Sequence, residues 1–291
     1  MSEKVILSES GLRQLQLNEL EMLVEVDRIC RKYQIQYSLD GGTLLGAVRH
    51  QGFIPWDDDA DVIFTRHEYA RFFRACAREL DTSRFFLQEY RTDPGYRWGY
   101  AKMRRKGTEY VRINQENLAQ RTGVCIDIFV VDNVPDLPIL RRLYYAMNFC
   151  IRKVLYSELG KTAEQHCWMR KWYQLLNRIP KTIPFRVRNV LAFRCNQRPT
   201  KLVSHLLYPY PRKNCKYGMP SECFQTYMDM DFEGMQFLVM QEYDCYLSIL
   251  YGDYMTLPPV ERRVGCADAC KIITIPVTLE EIQMRYKQEN K

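Results

Sequence analysis

The spacing of apolar side chains predicts an alternation of helices and strands along the chain. Apolar residues recur at three- and four-residue intervals through residues 10–33, which is the spacing of an amphipathic helix. Similar patterns and cap residues predict three further helices, at 67–80, 241–251 and 278–288. Runs of β-branched and aromatic residues between turn signals predict four strands, at 85–89, 99–105, 108–113 and 124–131. The pattern indicates an α+β protein with a mixed sheet flanked by helices.

The charge changes abruptly in residues 139–201. This segment has 14 Lys and Arg residues and only two acids, Glu158 and Glu164, so its net charge is +12 in a chain whose total is +7. Aromatic residues are interleaved with the charges, as in basic amphipathic helices that lie on an anionic surface or partner. We interpret the segment as a helical insertion, broken at Pro180 and Pro184, that docks on the cytoplasmic membrane leaflet or holds a polyanionic, lipid-linked glycan acceptor. Helices packed on the core with a solvated basic face are the alternative, whereas nucleic acid is not expected because no recognised binding module accompanies the charge.

The most informative stretch is acidic. Four carboxylates lie within five residues, at Asp57, Asp58, Asp59 and Asp61, and such a density of negative charge usually requires a cation. The apolar residues that follow predict a strand, whose two-residue alternation places Asp59 and Asp61 on the same side. Two carboxylates on one side can hold Mg²⁺ or Mn²⁺. The alternative is a solvated acidic turn.

Two other segments supply groups that such a metal site needs. Gly41, Gly42 and Thr43 follow a short extended run, and paired glycines let the backbone approach a phosphate and offer it N–H groups. Asp127 interrupts the apolar run 124–131, where a buried charge needs a partner or a metal. A strand-end aspartate that accepts backbone hydrogen bonds is the alternative for Asp127. Together the glycine pair and the acids indicate phosphoryl or nucleotidyl transfer.

Four basic residues are candidates for binding a phosphorylated substrate. Lys102 and Arg104 are two positions apart on a predicted strand, so they share a face and could grip a diphosphate together. Alternating basic residues on a solvent-facing strand are the alternative. Arg49 and His50 follow the glycine pair, and His50 could hydrogen-bond an acidic ligand or a phosphate. A structural histidine is the alternative there.

These residues carry a resemblance to a known family. The sequence DGGTLLGAVRH at 40–50, followed by GFIPWDDDADV at 52–62, resembles the signature of the LicD family. Shorter matches extend the resemblance over about residues 20–263, at 100–104, 127–129, 232–234 and 251–259. The family includes bacterial phosphocholine transferases and fukutin-related ribitol phosphate transferases.

The resemblance implies a nucleotidyltransferase-like fold and the transfer of a phospho-alcohol from a CDP-linked donor to a glycan hydroxyl group. By the same resemblance, Asp59 and Asp61 bind Mg²⁺, and Asp57 joins the metal shell. Asp127 then either completes the metal site or takes the proton of the acceptor.

The resemblance also implies a donor site, and the chain differs from the family pattern in one segment. It implies that Gly41, Gly42 and Thr43 contact the donor diphosphate. After Pro259 many relatives carry a histidine-containing segment, whereas this chain has ERRVGCAD at 261–268. The acceptor contacts made by that segment in the family therefore do not carry over directly.

Composition agrees with an intracellular enzyme. A chain of 291 residues with 46% hydrophobic content can bury a sizeable core. No sustained apolar stretch follows the first residues, and no run approaches the roughly 18 apolar residues of a membrane span. We therefore expect a cytoplasmic protein, with peripheral contact at the inner face of the cell membrane.

The 11 cysteines are odd in number and scattered. Several lie within apolar runs, which predicts reduced and buried thiols: Cys30, Cys76, Cys125 and Cys150. Two pairs could in principle hold zinc, although their spacings are not those of common zinc sites: Cys215 with Cys223, and Cys266 with Cys270.

The sequence thus predicts a catalytic core in residues 1–135, a basic helical insertion in 136–205 and a C-terminal part, 206–291, that completes the catalytic domain. The predicted function is Mg²⁺-dependent transfer of phosphocholine, or a related phospho-alcohol, to a cell-surface glycan such as lipopolysaccharide, teichoic acid or a capsule precursor. A metal-dependent glycosyltransferase is an alternative, because Asp59 and Asp61 also fit the Asp-x-Asp that holds a nucleotide sugar. A non-catalytic scaffold for membrane glycan enzymes is another, and it predicts that Asp59→Asn leaves function intact.

Overall fold

The computed structural model describes residues 3–210, 217–265 and 268–289. The N-terminal part contains three helices and six strands: α1 (Glu9–Lys32), β1 (Ser38–Leu39), α2 (Gly41–His50), β2 (Asp61–Thr65), α3 (Arg66–Glu79), β3 (Phe85–Gln88), β4 (Ala101–Arg105), β5 (Glu109–Arg112) and β6 (Cys125–Val134). Three helices follow: α4 (Pro138–Ala163), α5 (Cys167–Leu176) and α6 (Thr182–Cys195). The remaining elements are β7 (Leu202–His205), β8 (Met219–Pro220), β9 (Tyr227–Phe232), β10 (Met235–Met240), α7 (Tyr243–Tyr251), β11 (Ala269–Ile273) and α8 (Leu279–Glu289).

The main sheet is mixed and has the strand order β1-β2-β6-β4-β3. Strands β2 and β6 are parallel, whereas the other pairings in this order are antiparallel. The first half of the long strand β6 pairs with β4 and its second half pairs with β7, which in turn pairs with β8. Strands β9 and β10 form a hairpin, and β5 pairs with β11. The predicted α+β class is confirmed, and the arrangement agrees with a nucleotidyltransferase-like fold.

Helix α1 is more deeply buried than its apolar periodicity predicts. Its apolar face packs into the core as expected, but Glu21 and Asp27 are also buried. Arginines compensate both charges: Arg105 Nε donates to Glu21 at 2.9 Å, and Arg31 Nε donates to Asp27 at 2.7 Å. The helix therefore runs through the protein rather than along its surface.

The predicted helices at 67–80, 241–251 and 278–288 are confirmed as α3, α7 and α8, and the four predicted strands are present. Glu233 and Gly234 of the family segment form the turn of the β9–β10 hairpin, with φ values of 54° and 72°. The Glu233 carboxylate accepts two hydrogen bonds from Arg13, at 2.9 and 2.7 Å, and one from Phe53 N at 3.2 Å. This segment therefore joins the hairpin to α1 and to the loop after α2.

Residues 139–201 are helical, as predicted, in α4, α5 and α6. The predicted break at Pro180 is confirmed, since this residue lies between α5 and α6. The predicted break at Pro184 is wrong, because Pro184 lies in the first turn of α6, where a missing N–H is tolerated. Strand β7 then returns the chain to the main sheet, and the division into three parts stays a prediction. In the described part of the chain, no helix is both long and apolar enough to cross a bilayer.

Every cysteine that the structure describes is a free thiol. Cys30 and Cys76 are buried as predicted, but Cys125 is only partly buried. The prediction is wrong for Cys150, which is exposed because it lies on the outward side of α4. One member of each suggested zinc pair lies outside the described residues: Cys215 and Cys266.

Candidate active site

Asp61 and Asp127 occupy the same register position in the parallel pair of β2 and β6. Main-chain hydrogen bonds fix this position: Asp127 N donates to Ala60 O at 2.9 Å, and Asp40 N donates to Asp61 O at 3.0 Å. Residues in register on neighbouring strands project to the same face of a sheet. The structure thus brings Asp127 beside the acidic run, although the two are far apart in sequence.

Asp57, Asp58 and Asp59 lie in the loop before β2. Each directs one carboxylate oxygen to within 4.8 Å of the other two, and Gln16 of α1 holds the loop through a hydrogen bond from Nε2 to Asp57 O at 2.9 Å. The prediction that Asp59 and Asp61 share one strand is wrong, because β2 begins at Asp61. A loop lets three consecutive carboxylates converge, whereas a strand would send Asp58 to the opposite face.

Burial and mutual repulsion raise the pKa values of three carboxyl groups, those of Asp57, Asp59 and Asp61. Burial, followed by Asp59 and Asp58, raises the pKa of Asp57 to about 8. Burial also raises the pKa of Asp61 well above its ordinary value, with Asp59 and Asp127 as the next causes. The protein's own cations therefore do not balance this negative charge. Clustered carboxylate oxygens are the ligands that Mg²⁺ and Mn²⁺ prefer, so these residues fit the expected divalent metal.

Helix α2 begins at the acidic cluster. Gly41 has a φ of 50°, and a Cβ at Gly42 would lie only 2.6 Å from Asp57 Oδ2. Thr43 Oγ1 accepts a hydrogen bond from Asp61 N at 2.8 Å. The glycines therefore open a helix that the sequence pattern did not predict, and the free N–H groups and dipole of a helix N-terminus favour anions. A donor contact of residues 41–43 stays a prediction.

The same helix carries Arg49 and His50 away from the glycines. At 1.5 Å per residue, Arg49 lies roughly 12 Å along the helix axis from Gly41. Arg49 Nη1 donates to Tyr254 O at 2.7 Å, and the His50 ring meets Trp56 edge-on, with centroids 6.2 Å apart. These two residues thus lie at the other end of α2, and their role toward a substrate stays a prediction.

Lys102 and Arg104 share a face of β4, but they have different partners. The Lys102 ammonium forms a salt bridge with Asp127 in the acidic cluster. Arg104 Nε donates to Gln88 Oε1 at 2.5 Å, and its Nη1 donates to Gly123 O at 2.5 Å. Arg104 is thus bound to neighbouring protein groups, whereas Lys102 is directly linked to the site.

A cavity of about 170 Å³ adjoins this strand. Its wall combines three cations with several aromatic rings: Lys102, Arg104, Arg112, Trp98, Tyr100, Tyr110 and Tyr208. Burial has the largest single effect and lowers the pKa of Arg112, but the surrounding groups, with Asp127 first among them, together raise it overall. Cationic side chains suit phosphate groups and flat rings suit an aromatic base, so the cavity has the chemistry of a nucleotide pocket.

Two residues near the cluster, Arg112 and Glu19, were not identified from the sequence, whereas Tyr251 lies in a segment that the family resemblance covers. Arg112 lies in a predicted strand, where its alternation with Tyr110 was the available signal. Tyr251 places its hydroxyl group 3.6 Å from the Cβ position of Gly41. Glu19 is 2% exposed, and its Oε2 has no hydrogen-bond partner among the described residues. Burial, followed by Asp59, raises the pKa of Glu19 well above its ordinary value.

Comparison with known proteins identifies the family of this chain. The family sequence model for "LicD/FKTN/FKRP, nucleotidyltransferase domain" matches residues 34–174. The lipopolysaccharide cholinephosphotransferase LicD of Haemophilus influenzae is 32% identical over 272 residues, which span 87% of this chain and 94% of the relative. An uncharacterized protein of Rickettsia prowazekii is 47% identical over 53 residues, 18% of this chain and 19% of its own length. Because the similarity to the Haemophilus protein extends over nearly the whole of both chains, this protein belongs to the LicD family.

Proposed function

We propose that the protein transfers phosphocholine, or a related phospho-alcohol, from a CDP-linked donor to a hydroxyl group of a glycan such as lipopolysaccharide. The observation that carries this proposal is the convergence of Asp57, Asp59, Asp61 and Asp127 beside a cationic, aromatic cavity. The similarity to a lipopolysaccharide cholinephosphotransferase supports the reaction class. Teichoic acid and capsule precursors offer hydroxyl groups of the same chemistry. The cytoplasmic location stays a prediction.

In the proposed reaction, the acceptor oxygen forms a bond to the phosphorus that carries the alcohol. The P–O bond of the diphosphate breaks at the same phosphorus, and CMP leaves with the bridging oxygen. The acceptor proton passes to a carboxylate. Asp127 suits this role because Lys102 donates to its Oδ1, which leaves Oδ2 to take the proton.

The remaining acids would hold the metal. Asp57, Asp59 and Asp61 would bind Mg²⁺ or Mn²⁺, and Asp127 would complete the ligand set if it is not the base. A bound divalent cation would neutralise charge on the donor diphosphate and on the leaving group. Thr43 supports this arrangement by fixing the main chain of Asp61.

The cavity would hold the nucleotide end of the donor. Lys102 and Arg112 are the cations on its wall that interact electrostatically with Asp127, so a diphosphate in the cavity would lie beside these two cations and next to the acidic cluster. Tyr100 and Tyr208 lie edge to face, with centroids 5.4 Å apart, and offer ring surface to the pyrimidine.

Donor binding by wild type and two variants tests the proposal. Purified protein is incubated with Mg²⁺ and CDP-choline, CDP-ribitol, CDP-glycerol or UDP-glucose, and its thermal stability is recorded. We expect metal-dependent stabilisation by one CDP compound, lost in Asp59→Asn. The matched control Asp231→Asn changes an exposed acid on β9, which accepts from Gln236, and should bind normally.

The transfer itself is followed as CMP release and label incorporation with a lipopolysaccharide acceptor. Stabilisation by UDP-glucose alone would favour a glycosyltransferase. A lack of binding to every donor, with biological function intact in Asp59→Asn, would favour a scaffold.

A further inference from the structure

Helix α5 turns an apolar face toward solvent. Trp168, Trp172 and Leu175 are 69%, 51% and 51% exposed, and their spacing places them on one side of the helix. Tyr173 points the other way and packs edge to face on Tyr156 of α4, with centroids 5.6 Å apart. The helix is thus fixed to the protein by one face while its two indoles remain in water.

The neighbouring helices repeat this arrangement. On α4, Leu143 and Met147 are 58% and 45% exposed; on α6, Val187 and Val190 are 40% and 50% exposed. In each pair the two residues are about one turn apart, so each helix has an outward apolar stripe. We call the outward surface of α4, α5 and α6 the helical face.

The helical face is not an unfilled part of the core. The same helices bury other positions, and Ile151 and Leu155 of α4 pack with Phe185 of α6 in a small cluster. Among the described residues, 13 of the 22 exposed large apolar side chains fall within residues 137–193. Exposed apolar surface is therefore concentrated here, and such concentrations mark interaction surfaces.

The charge of the segment indicates what would cover this face. Residues 139–201 carry a net charge of +12. The acid Glu158 is engaged locally, with Lys161 at 2.8 Å and Arg97 at 3.8 Å. Arg170 and Lys171 lie between the two exposed indoles in sequence, and both are exposed. Apolar side chains, indoles and cations together are the composition that binds an anionic lipid surface.

We propose that the helical face docks on the surface of an anionic phospholipid bilayer, with Trp168 and Trp172 at the level of the headgroups. A second copy of the chain would bring two strongly positive surfaces together, and their repulsion would oppose it. A bilayer satisfies both the apolar stripes and the charge. Membrane docking by this face does not depend on the proposed transfer reaction or on the identity of its acceptor.

Vesicle flotation of the full-length protein tests this inference. We expect binding to vesicles that contain phosphatidylglycerol, no binding to vesicles of phosphatidylcholine alone, and weaker binding as salt is added. Trp168→Ser/Trp172→Ser removes the indoles, and Arg170→Glu/Lys171→Glu reverses two charges; each should weaken binding by about tenfold or more. Two controls alter exposed residues elsewhere, Met284→Ser and Arg74→Glu/Arg78→Glu, and should bind like wild type.

Tryptophan fluorescence provides a second measurement. Emission should shift to the blue when the vesicles are added, and Trp168→Phe/Trp172→Phe should lose the shift while it still floats with the vesicles. The proposal is overturned if wild type does not bind the anionic vesicles, or if the controls lose binding as much as the α5 variants. Concentration-dependent dimerisation that Trp168→Ser/Trp172→Ser abolishes would overturn it in favour of a second copy.

Discussion

The carboxylate of Asp57 occupies the space that a side chain at position 42 would need, since a Cβ built on Gly42 would lie 2.6 Å from Asp57 Oδ2. Gly42→Ala must therefore displace Asp57, while alanine itself suits the helix. We expect the variant to fold but to lose activity by about 100-fold, because a small displacement of a catalytic group is enough. CMP release measures the activity of the variant, and Mn²⁺ titration measures its metal affinity.

A second glycine of α2 provides the contrast. A Cβ at Gly46 would lie 2.5 Å from Gly52 O, and this backbone oxygen cannot move aside as a side chain can. Gly46→Ala should lower the melting temperature, whereas the molecules that remain folded should still bind Mn²⁺. Normal Mn²⁺ affinity in Gly42→Ala would contradict the assignment of Asp57 to the metal site.

The salt bridge between Lys102 and Asp127 predicts a metal-dependent change in stability. The two side chains are 6% and 15% exposed, so Lys102→Met leaves a largely buried carboxylate without its cation. Breaking such a pair should lower the free energy of unfolding by about 3 kcal/mol. The loss should be smaller at saturating Mg²⁺, because a bound cation can compensate Asp127.

Urea denaturation with and without Mg²⁺ measures this effect. The control is Lys32→Met, which breaks a more exposed pair with Glu79 and should lower the free energy of unfolding much less than Lys102→Met, with or without metal. If Lys102→Met lowers the free energy of unfolding equally with and without Mg²⁺, then Lys102 does not act at the metal site.

We expect Arg112 to contribute to donor binding and Arg104 to contribute to protein stability. Arg112 is attracted electrostatically to Asp127 and lines the cavity. Arg112→Gln should therefore raise the KM for the CDP donor by about tenfold, which corresponds to the loss of one charge-assisted hydrogen bond. Its melting temperature should change little. Arg104 donates to Gly123 O, so Arg104→Gln should destabilise the protein by about 2 kcal/mol through the unpaired carbonyl. The two effects are separated by steady-state kinetics and urea denaturation, and unchanged kinetics in Arg112→Gln would argue against a donor in this cavity.

His205 should make stability depend on pH. Burial lowers its pKa below 6.5, and the attraction of Asp40 does not offset this. The unfolded chain therefore takes up a proton first as the pH falls, so the histidine's contribution is fully present above about pH 6.5 and is lost progressively below it.

His205→Phe isolates this contribution. The ring lies between Phe129 and Tyr210, with both centroids 5.0 Å away, so phenylalanine keeps the packing and removes the titrating group. The free energy of unfolding, measured from pH 7.5 to 5, should fall less steeply in the variant. Identical pH dependence in the two proteins would mean that His205 is not held neutral.

The acidic cluster could be found from sequence because its signal is local. Asp57, Asp58, Asp59 and Asp61 are close in the chain, so their repulsion is evident without a fold. Glu19 and Arg112 are single polar residues in a helix and a strand distant from that run, and only tertiary packing brings them near it. Local pattern places Arg112 beside Tyr110 on one face of a strand, but it does not show that Arg112 or Glu19 approaches the acidic cluster.

Secondary structure was likewise predicted correctly where its signal is local and incorrectly where it depends on tertiary contacts. Helix α3 has a regular apolar stripe, and its prediction was confirmed. Helix α2 was missed because it opens with Gly41 and Gly42, which are poor helix formers, although Asp40 accepts from Gly41 N at 2.8 Å as an N-cap. The start of β2 was misplaced because alternation alone does not reveal that carboxylates converge on a common point.

The loop that carries Asp57 and Asp59 is held by partners that come from distant parts of the chain. Gln16 binds the main chain of Asp57, and the hydrogen bond from Asp127 N to Ala60 O holds its other end. These anchors exist only after α1 and β6 have assembled on either side of the loop. Metal affinity should therefore appear late in folding, when the domain becomes cooperative, and an added divalent cation should favour the completed fold over partly folded chains by mass action.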